Sequence, residues 1–136
     1  MPPTARLSAV AVGLGGIAGA AARWGLATWA TGSIDRPAWP WWTLAANVAG
    51  CLFLGGIAAR LPFLPPRDVV IWRDGLGTGF CGGLTTFSTF SVELASMLRA
   101  HRPGLAAGYL ATSLVTGYIA YELGRRAIHQ PAAGRR

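Results

Sequence analysis

Apolar residues fill four long stretches of the chain, Leu7 to Ala22, Trp41 to Ala59, Gly75 to Val92 and Gly104 to Tyr121, and no charged side chain interrupts any of them. A helix needs roughly 20 mostly apolar residues to cross the hydrocarbon layer, so the pattern predicts an all-α membrane protein with four transmembrane helices, at about 7–31, 41–60, 70–98 and 104–124. The first stretch has the position of a signal peptide behind Arg6, but it continues across Arg23 to Thr31 and three more follow, so it reads as a span. Prolines mark the places where the stretches stop: Pro37 and Pro40, then Pro62, Pro65 and Pro66, then Pro103, then Pro131. The loops are short, and the expectation is one four-helix domain over 1–136 with a flexible tail at 125–136.

Composition agrees with that medium, because 52% of the residues are hydrophobic and only 12% charged, too few charges for an ordinary soluble surface. The net charge of +7 comes from arginine alone, with no lysine. In a soluble protein such a balance suggests nucleic acid, but here the arginines lie mainly outside the apolar stretches and read as membrane-flanking anchors. Four spans put Arg6, Arg60, Arg67, Arg73, Arg125, Arg126, Arg135 and Arg136 on the side of the termini, against Arg36, Arg99 and Arg102 opposite. The bias places both termini in the cytoplasm.

Small residues recur four apart, as Gly15 and Gly19, Gly75, Gly79 and Gly83, Gly104 and Gly108, and Ser113 and Gly117, a spacing that lets helix backbones approach closely. Trp24, Trp29, Trp39, Trp41, Trp42 and Trp72 stand near span ends and fit an aromatic belt at headgroup level. Cys51 and Cys81 read as small apolar residues inside spans, without a disulfide. His101 and His129 are isolated, and no metalloenzyme is implied. G-x-G-x-x-G at Gly77 follows no strand, so a nucleotide site fails on context. No nucleophile and base stand in register, and the chain is not read as an enzyme.

The polar residues inside the spans are few, and at membrane depth such groups are costly enough to deserve a functional hypothesis. Span one carries Arg23, span two Thr43 and Asn47, and span four Tyr109, Thr112, Ser113 and Thr116. Span three is the outlier: Gly82-Gly83 precede Thr85-Thr86, and the run of hydroxyls continues to Ser91, ahead of Glu93. Glycines and threonines are poor helix formers, which predicts a break near 82–86. Broken backbone in a bilayer is tolerated only where protein, water or ions satisfy it, so an ion is a natural ligand there. After the break Thr85 or Thr86 can cap a new half-helix. On that half-helix Phe87 and Phe90 share a face, either as packing residues or as a pair of positive ring edges turned into a narrow anion path. Asn47 is equally readable as interhelical glue or as a pore-lining donor.

"GFCGGLTTFSTFSVE" at Gly79 to Glu93, with "AGAAARW" at Ala18 to Trp24 and "TLAANVAGCLFLG" at Thr43 to Gly55, resembles the CrcB/Fluc family of fluoride ion channels over nearly the whole chain. The resemblance implies an antiparallel dual-topology homodimer with two fluoride pores and a sodium ion buried on the two-fold axis. By that similarity the main-chain carbonyls of Gly82 and Thr85 would coordinate the sodium. Phe87 and Phe90 would line each pore by their ring edges, Asn47 would donate an amide N–H to fluoride, and Tyr109 and Ser113 would line the same path. Thr43 and Glu93 would extend its polar track, and Arg23 would stand near a vestibule. The family's task is passive fluoride efflux across the plasma (inner) membrane of a prokaryote, by a multi-pass protein in contact with lipid.

The arginine bias toward one side departs from a subunit that inserts in both orientations, and leaves a heterodimer with an oppositely oriented paralogue as the alternative assembly. Ala45-Ala46 and Cys51 also differ from the bulkier and hydroxylated residues expected around Asn47. A small multidrug-type proton-coupled antiporter would need a carboxylate in span one, where this chain holds Arg23. A membrane assembly subunit without transport would account for the small-residue faces but not for the glycines and threonines of span three.

Overall fold

A computed structural model describes residues 3–31 and 39–128, and the described residues form helices and connecting turns with no strand. Arg36, Pro37, His129, Pro131, Arg135, Arg136 and the side chain of Trp29 lie outside what is described. Helix α1 is Pro3–Thr31 and α2 is Trp41–Arg60. A short 3₁₀ turn, Leu61–Phe63, then leads into α3, a continuous coil over 66–84. Helix α4 is Phe87–Arg99 and α5 is Pro103–Ile128. The third apolar stretch is therefore two helices, and the fourth continues through Arg125 and Arg126, where both guanidinium groups pair with Glu122 on the preceding turn. Two stretches, Thr4–Thr28 and Trp41–Phe63, are long and apolar enough to cross a membrane, with mean hydropathies of 1.5 and 1.6.

Glycine sets how these helices pack. On the α1–α3 seam, Gly15 lies directly against the Gly75 carbonyl, Gly19 against that of Phe80 and Gly83 against that of Gly16. A methyl group on Gly79 would stand 2.7 Å from the Val12 carbonyl oxygen, so nothing larger than hydrogen fits. This is the close approach that the four-residue spacing predicts. A second seam joins α2 to α5, with Gly55 against the Tyr121 carbonyl and Gly124 against that of Leu52. Within α3 the coil from Val70 to Cys81 is wound wide, with π-type hydrogen bonding, and the Thr78 hydroxyl reaches back to the Arg73 carbonyl at 3.2 Å.

Leu44, Met97, Ala106 and Tyr109 form an apolar cluster where α2, α4 and α5 meet, with Trp39, Val48, Phe90, Leu94 and Leu105 packed against it. The outward faces are apolar instead of polar: Leu7, Val10, Leu14 and Ile17 on α1, and Leu114, Val115 and Ile119 on α5, are exposed. Such a surface suits lipid or a partner chain, not water. The tryptophans divide. Trp24 and Trp41 are exposed, as a headgroup belt requires, whereas Trp39 turns inward and meets Tyr109 edge-on at 5.6 Å.

Helix α4 ends in a tight reversal. The Arg102 amide donates to the Met97 carbonyl and the His101 amide to that of Leu98, each at 3.0 Å, and His101 has a φ of 55°. This is the left-handed terminus that glycine normally occupies. His101 is thus part of a helix stop.

Candidate functional site

The break in the third apolar stretch falls at Thr85-Thr86. Thr85 is extended (φ −78°, ψ 158°), as is Thr86 (φ −145°, ψ 117°), and helix resumes at Phe87. Threonine explains both edges. The Thr85 amide and hydroxyl both donate to the Cys81 carbonyl at 2.9 Å and finish α3. The Thr86 hydroxyl accepts from the Thr89 amide at 3.1 Å and starts α4, so Thr86 is the cap and Thr85 is not.

Breaking the ladder leaves the Thr86 amide to be satisfied from elsewhere, whereas its carbonyl stands at the N-cap of α4. Asn47 on α2 meets both groups: its Oδ1 accepts from the Thr86 N–H at 2.8 Å and its Nδ2 donates to the Thr86 carbonyl at 3.3 Å. The amide donor of Thr86 fixes which way the asparagine faces, because only an oxygen can receive it. One N–H of Nδ2 is used in this bond. The two sequence readings of Asn47, glue and donor, are thus compatible in one side chain.

The Thr86 N–H would ordinarily close the next helical turn on the Gly82 carbonyl, and it goes to Asn47 instead. Gly82 itself is exposed, and a methyl group there would meet nothing within 4 Å. That pairs an unclosed carbonyl with open access, which suits a hard cation that takes oxygen ligands. Among the described residues no group of three or more His, Cys, Asp or Glu side chains could hold a metal.

An open groove of about 680 Å³ runs along the break, with Asn47, Gly82, Thr85, Phe87, Phe90 and Ser113 on its walls. The Phe87 and Phe90 ring centres are 6.1 Å apart, and Phe90 stands 5.2 Å from Tyr109. Phe87 is 80% exposed, so its ring packs against little of its own chain. The Ser113 hydroxyl is buried without a hydrogen-bond partner among the described residues. A smaller cavity of about 270 Å³ holds Arg23, Thr43, Thr86 and Thr89, so Thr86 borders both spaces. Glu93 accepts from Thr43 Oγ1 at 2.6 Å and from Tyr109 Oη at 2.7 Å, tying α2, α4 and α5 together.

The eight residues expected along an ion path therefore fall into three connected groups. Asn47, Phe87, Phe90 and Ser113 share the groove; Arg23 and Thr43 share the smaller cavity; Glu93 and Tyr109 join Thr43 by hydrogen bonds. Arg23 does not reach the phenylalanines' groove. Sequence reasoning missed the bonding of Asn47 to Thr86, which couples residues 39 positions apart. No local signal announces it. Chemically, the groove offers N–H and O–H donors beside aromatic rings, which suits a small anion shedding water.

The family model described as CrcB-like protein, Camphor Resistance (CrcB), matches residues 10–125. A protein of Mycolicibacterium paratuberculosis named fluoride-specific ion channel FluC 1 is 43% identical over 120 residues, 88% of this chain and 89% of the relative. Fluoride-specific ion channel FluC of Variovorax paradoxus is 43% identical over 129 residues, covering 93% and 98%. The protein of the same name from Bordetella petrii is 42% identical over 123 residues, covering 90% and 92%.

Proposed function

This chain belongs to the CrcB/Fluc family, and on that footing we propose that it is a fluoride-selective ion channel giving passive efflux of cytoplasmic fluoride. The observation that carries the reading is the clamp of Asn47 on Thr86, which holds a helix open beside a groove lined by Phe87, Phe90 and Ser113. Its relatives are named fluoride-specific ion channels, and the groove of this chain has groups suited to a small, strongly hydrated anion.

Fluoride gives up its water only where donors replace it. The spare Asn47 N–H and the Ser113 hydroxyl supply hydrogen bonds, and the edges of Phe87 and Phe90 supply partial positive charge without a fixed cation that would trap the ion. Tyr109, Thr43 and Glu93 continue the path as a hydrogen-bonded track, and Arg23 raises the local anion concentration at its far end. A membrane potential that is negative inside drives the anion outward at about 2.3 kcal/mol per charge per 100 mV. No second substrate is needed.

The assembly in this reading is an antiparallel, dual-topology homodimer of four-span subunits with two pores, in the inner membrane of a prokaryote. The exposed apolar faces of α1 and α5 support burial in lipid and against a partner. Sodium would be held by the carbonyls of Gly82 and Thr85 from both subunits, where it supplies a fixed positive charge. The arginine bias keeps a heterodimer with an oppositely oriented paralogue as the alternative pairing.

The test is efflux from liposomes. Purified protein in fluoride-loaded vesicles releases fluoride much faster than chloride and does not exchange lipophilic cations for protons. Equal release of chloride rejects the channel reading, and proton-coupled cation movement replaces it with the antiporter.

A further inference from the structure

The polar side chains proposed for the path end at Tyr109 and Thr43, whose hydroxyls donate to Glu93. One more donor lies beyond them. The indole nitrogen of Trp39 is buried and has no hydrogen-bond partner among the described residues, a condition it shares with the Ser113 hydroxyl. Buried donors without acceptors are costly, and each in a native structure calls for an explanation.

Its surroundings suggest one. Trp39 precedes Thr43 by four residues and Thr43 precedes Asn47 by four, so α2 and its leading turn carry three donors in a row. The Trp39 ring meets Tyr109 edge-on at 5.6 Å and 78°, and Tyr109 donates to Glu93. Trp41 at 6.0 Å and Gly108, whose Cβ position is 3.8 Å from the ring, confine it from other sides. The Glu93 carboxylate takes its bonds from Thr43 and Tyr109, at 2.6 and 2.7 Å. An indole can only donate. A ligand that can only accept is its complement, and a halide is one.

We propose that the Trp39 indole N–H is a further fluoride-binding donor, one step beyond Thr43 and Tyr109. The proposal rests on the channel reading, since without fluoride in this path the donor has nothing to bind. Trp39 then belongs to the conduction path and not to a headgroup belt, and its ring serves to hold the N–H in place against Tyr109.

The experiment replaces Trp39 by benzothienylalanine, which keeps the bicyclic shape and exchanges N–H for sulfur. Fluoride efflux is measured from liposomes over a series of fluoride concentrations, beside the wild type. The expected result is a half-saturating fluoride concentration raised roughly three- to tenfold, the size of one lost hydrogen bond, with an unchanged elution volume and melting curve. Trp39→Phe shifts it in the same direction. A benzothienyl variant whose concentration dependence superimposes on that of a conducting wild type overturns the proposal. A wild type that conducts no fluoride overturns the channel reading instead.

Discussion

Asn47 and Thr86 are joined by two hydrogen bonds, one accepted and one donated by the same side-chain amide, across the helix break at Thr85-Thr86. Asn47→Asp keeps the acceptor for the Thr86 N–H but turns a second acceptor toward the carbonyl and removes every donor. Fluoride flux in liposomes should fall at least about tenfold, the scale of a lost hydrogen bond to a charged group. Asn47→Leu leaves the Thr86 N–H unpaired, and thermal unfolding in detergent should show an additional loss of about 1–3 kcal/mol. Equal stability of Asn47→Leu and wild type would mean that water satisfies the break.

Among the described residues Phe87 is the most exposed of the large apolar side chains, so exchanging it removes little buried contact. Phe87→Ile should therefore abolish most fluoride flux while the melting curve and the elution volume stay in place. A variant that conducts like wild type returns this ring to a packing or lipid-facing role.

Neighbouring glycines on one helix supply a paired control for packing. Gly19→Ala forces a methyl group into the Phe80 carbonyl, whereas Gly13→Ala meets nothing within 4 Å. The first should cost about 1–3 kcal/mol as an overpacked contact. The second should be neutral or slightly stabilising, since alanine is the better helix former by up to about 1 kcal/mol. Guanidinium or thermal unfolding of the two, side by side, reads the difference.

The sodium proposal cannot be tested by truncating a side chain, because its ligands are main-chain carbonyls at Gly82 and Thr85. Exchange of the ion can test it. Protein purified and reconstituted with N-methylglucamine in place of sodium should lose fluoride flux and regain it when sodium returns. Flux indifferent to every cation would remove the metal from the account.

His101 sits at φ 55°, where a side chain costs roughly 1–2 kcal/mol. His101→Gly should raise the unfolding free energy by about 1 kcal/mol and leave flux unchanged. A drop in stability would show that the imidazole makes contacts outweighing the strain.

Much of the local architecture is legible in the sequence. Paired glycines and threonines announce the break because their effect on helix winding is a property of each residue, and a hydroxyl at Thr86 caps α4 through an amide only three positions away. The α1–α3 seam is legible in Gly15, Gly19, Gly79 and Gly83, because the repeat of four marks one face of a helix. The α2–α5 seam is harder to read. Gly55 and Gly124 each stand alone in the pattern, and their pairing depends on which helices become neighbours. The same holds for Asn47 and Thr86 and for the inward turn of Trp39, which shares its sequence setting with the exposed Trp41. The wide coil from Val70 to Cys81 has no sequence signal that we can identify.

That coil bears on regulation. Rewinding it to ordinary α-pitch would rotate everything beyond Cys81, carrying Thr85 and the aromatic pair around the axis. Gly15 and Gly19 of α1 already touch the main chain of α3 at Gly75 and Phe80, within this segment, so a turning screw would jam against the helix beside it. The groove beside the break is accordingly a matter of fixed masonry and not of a twisting shutter.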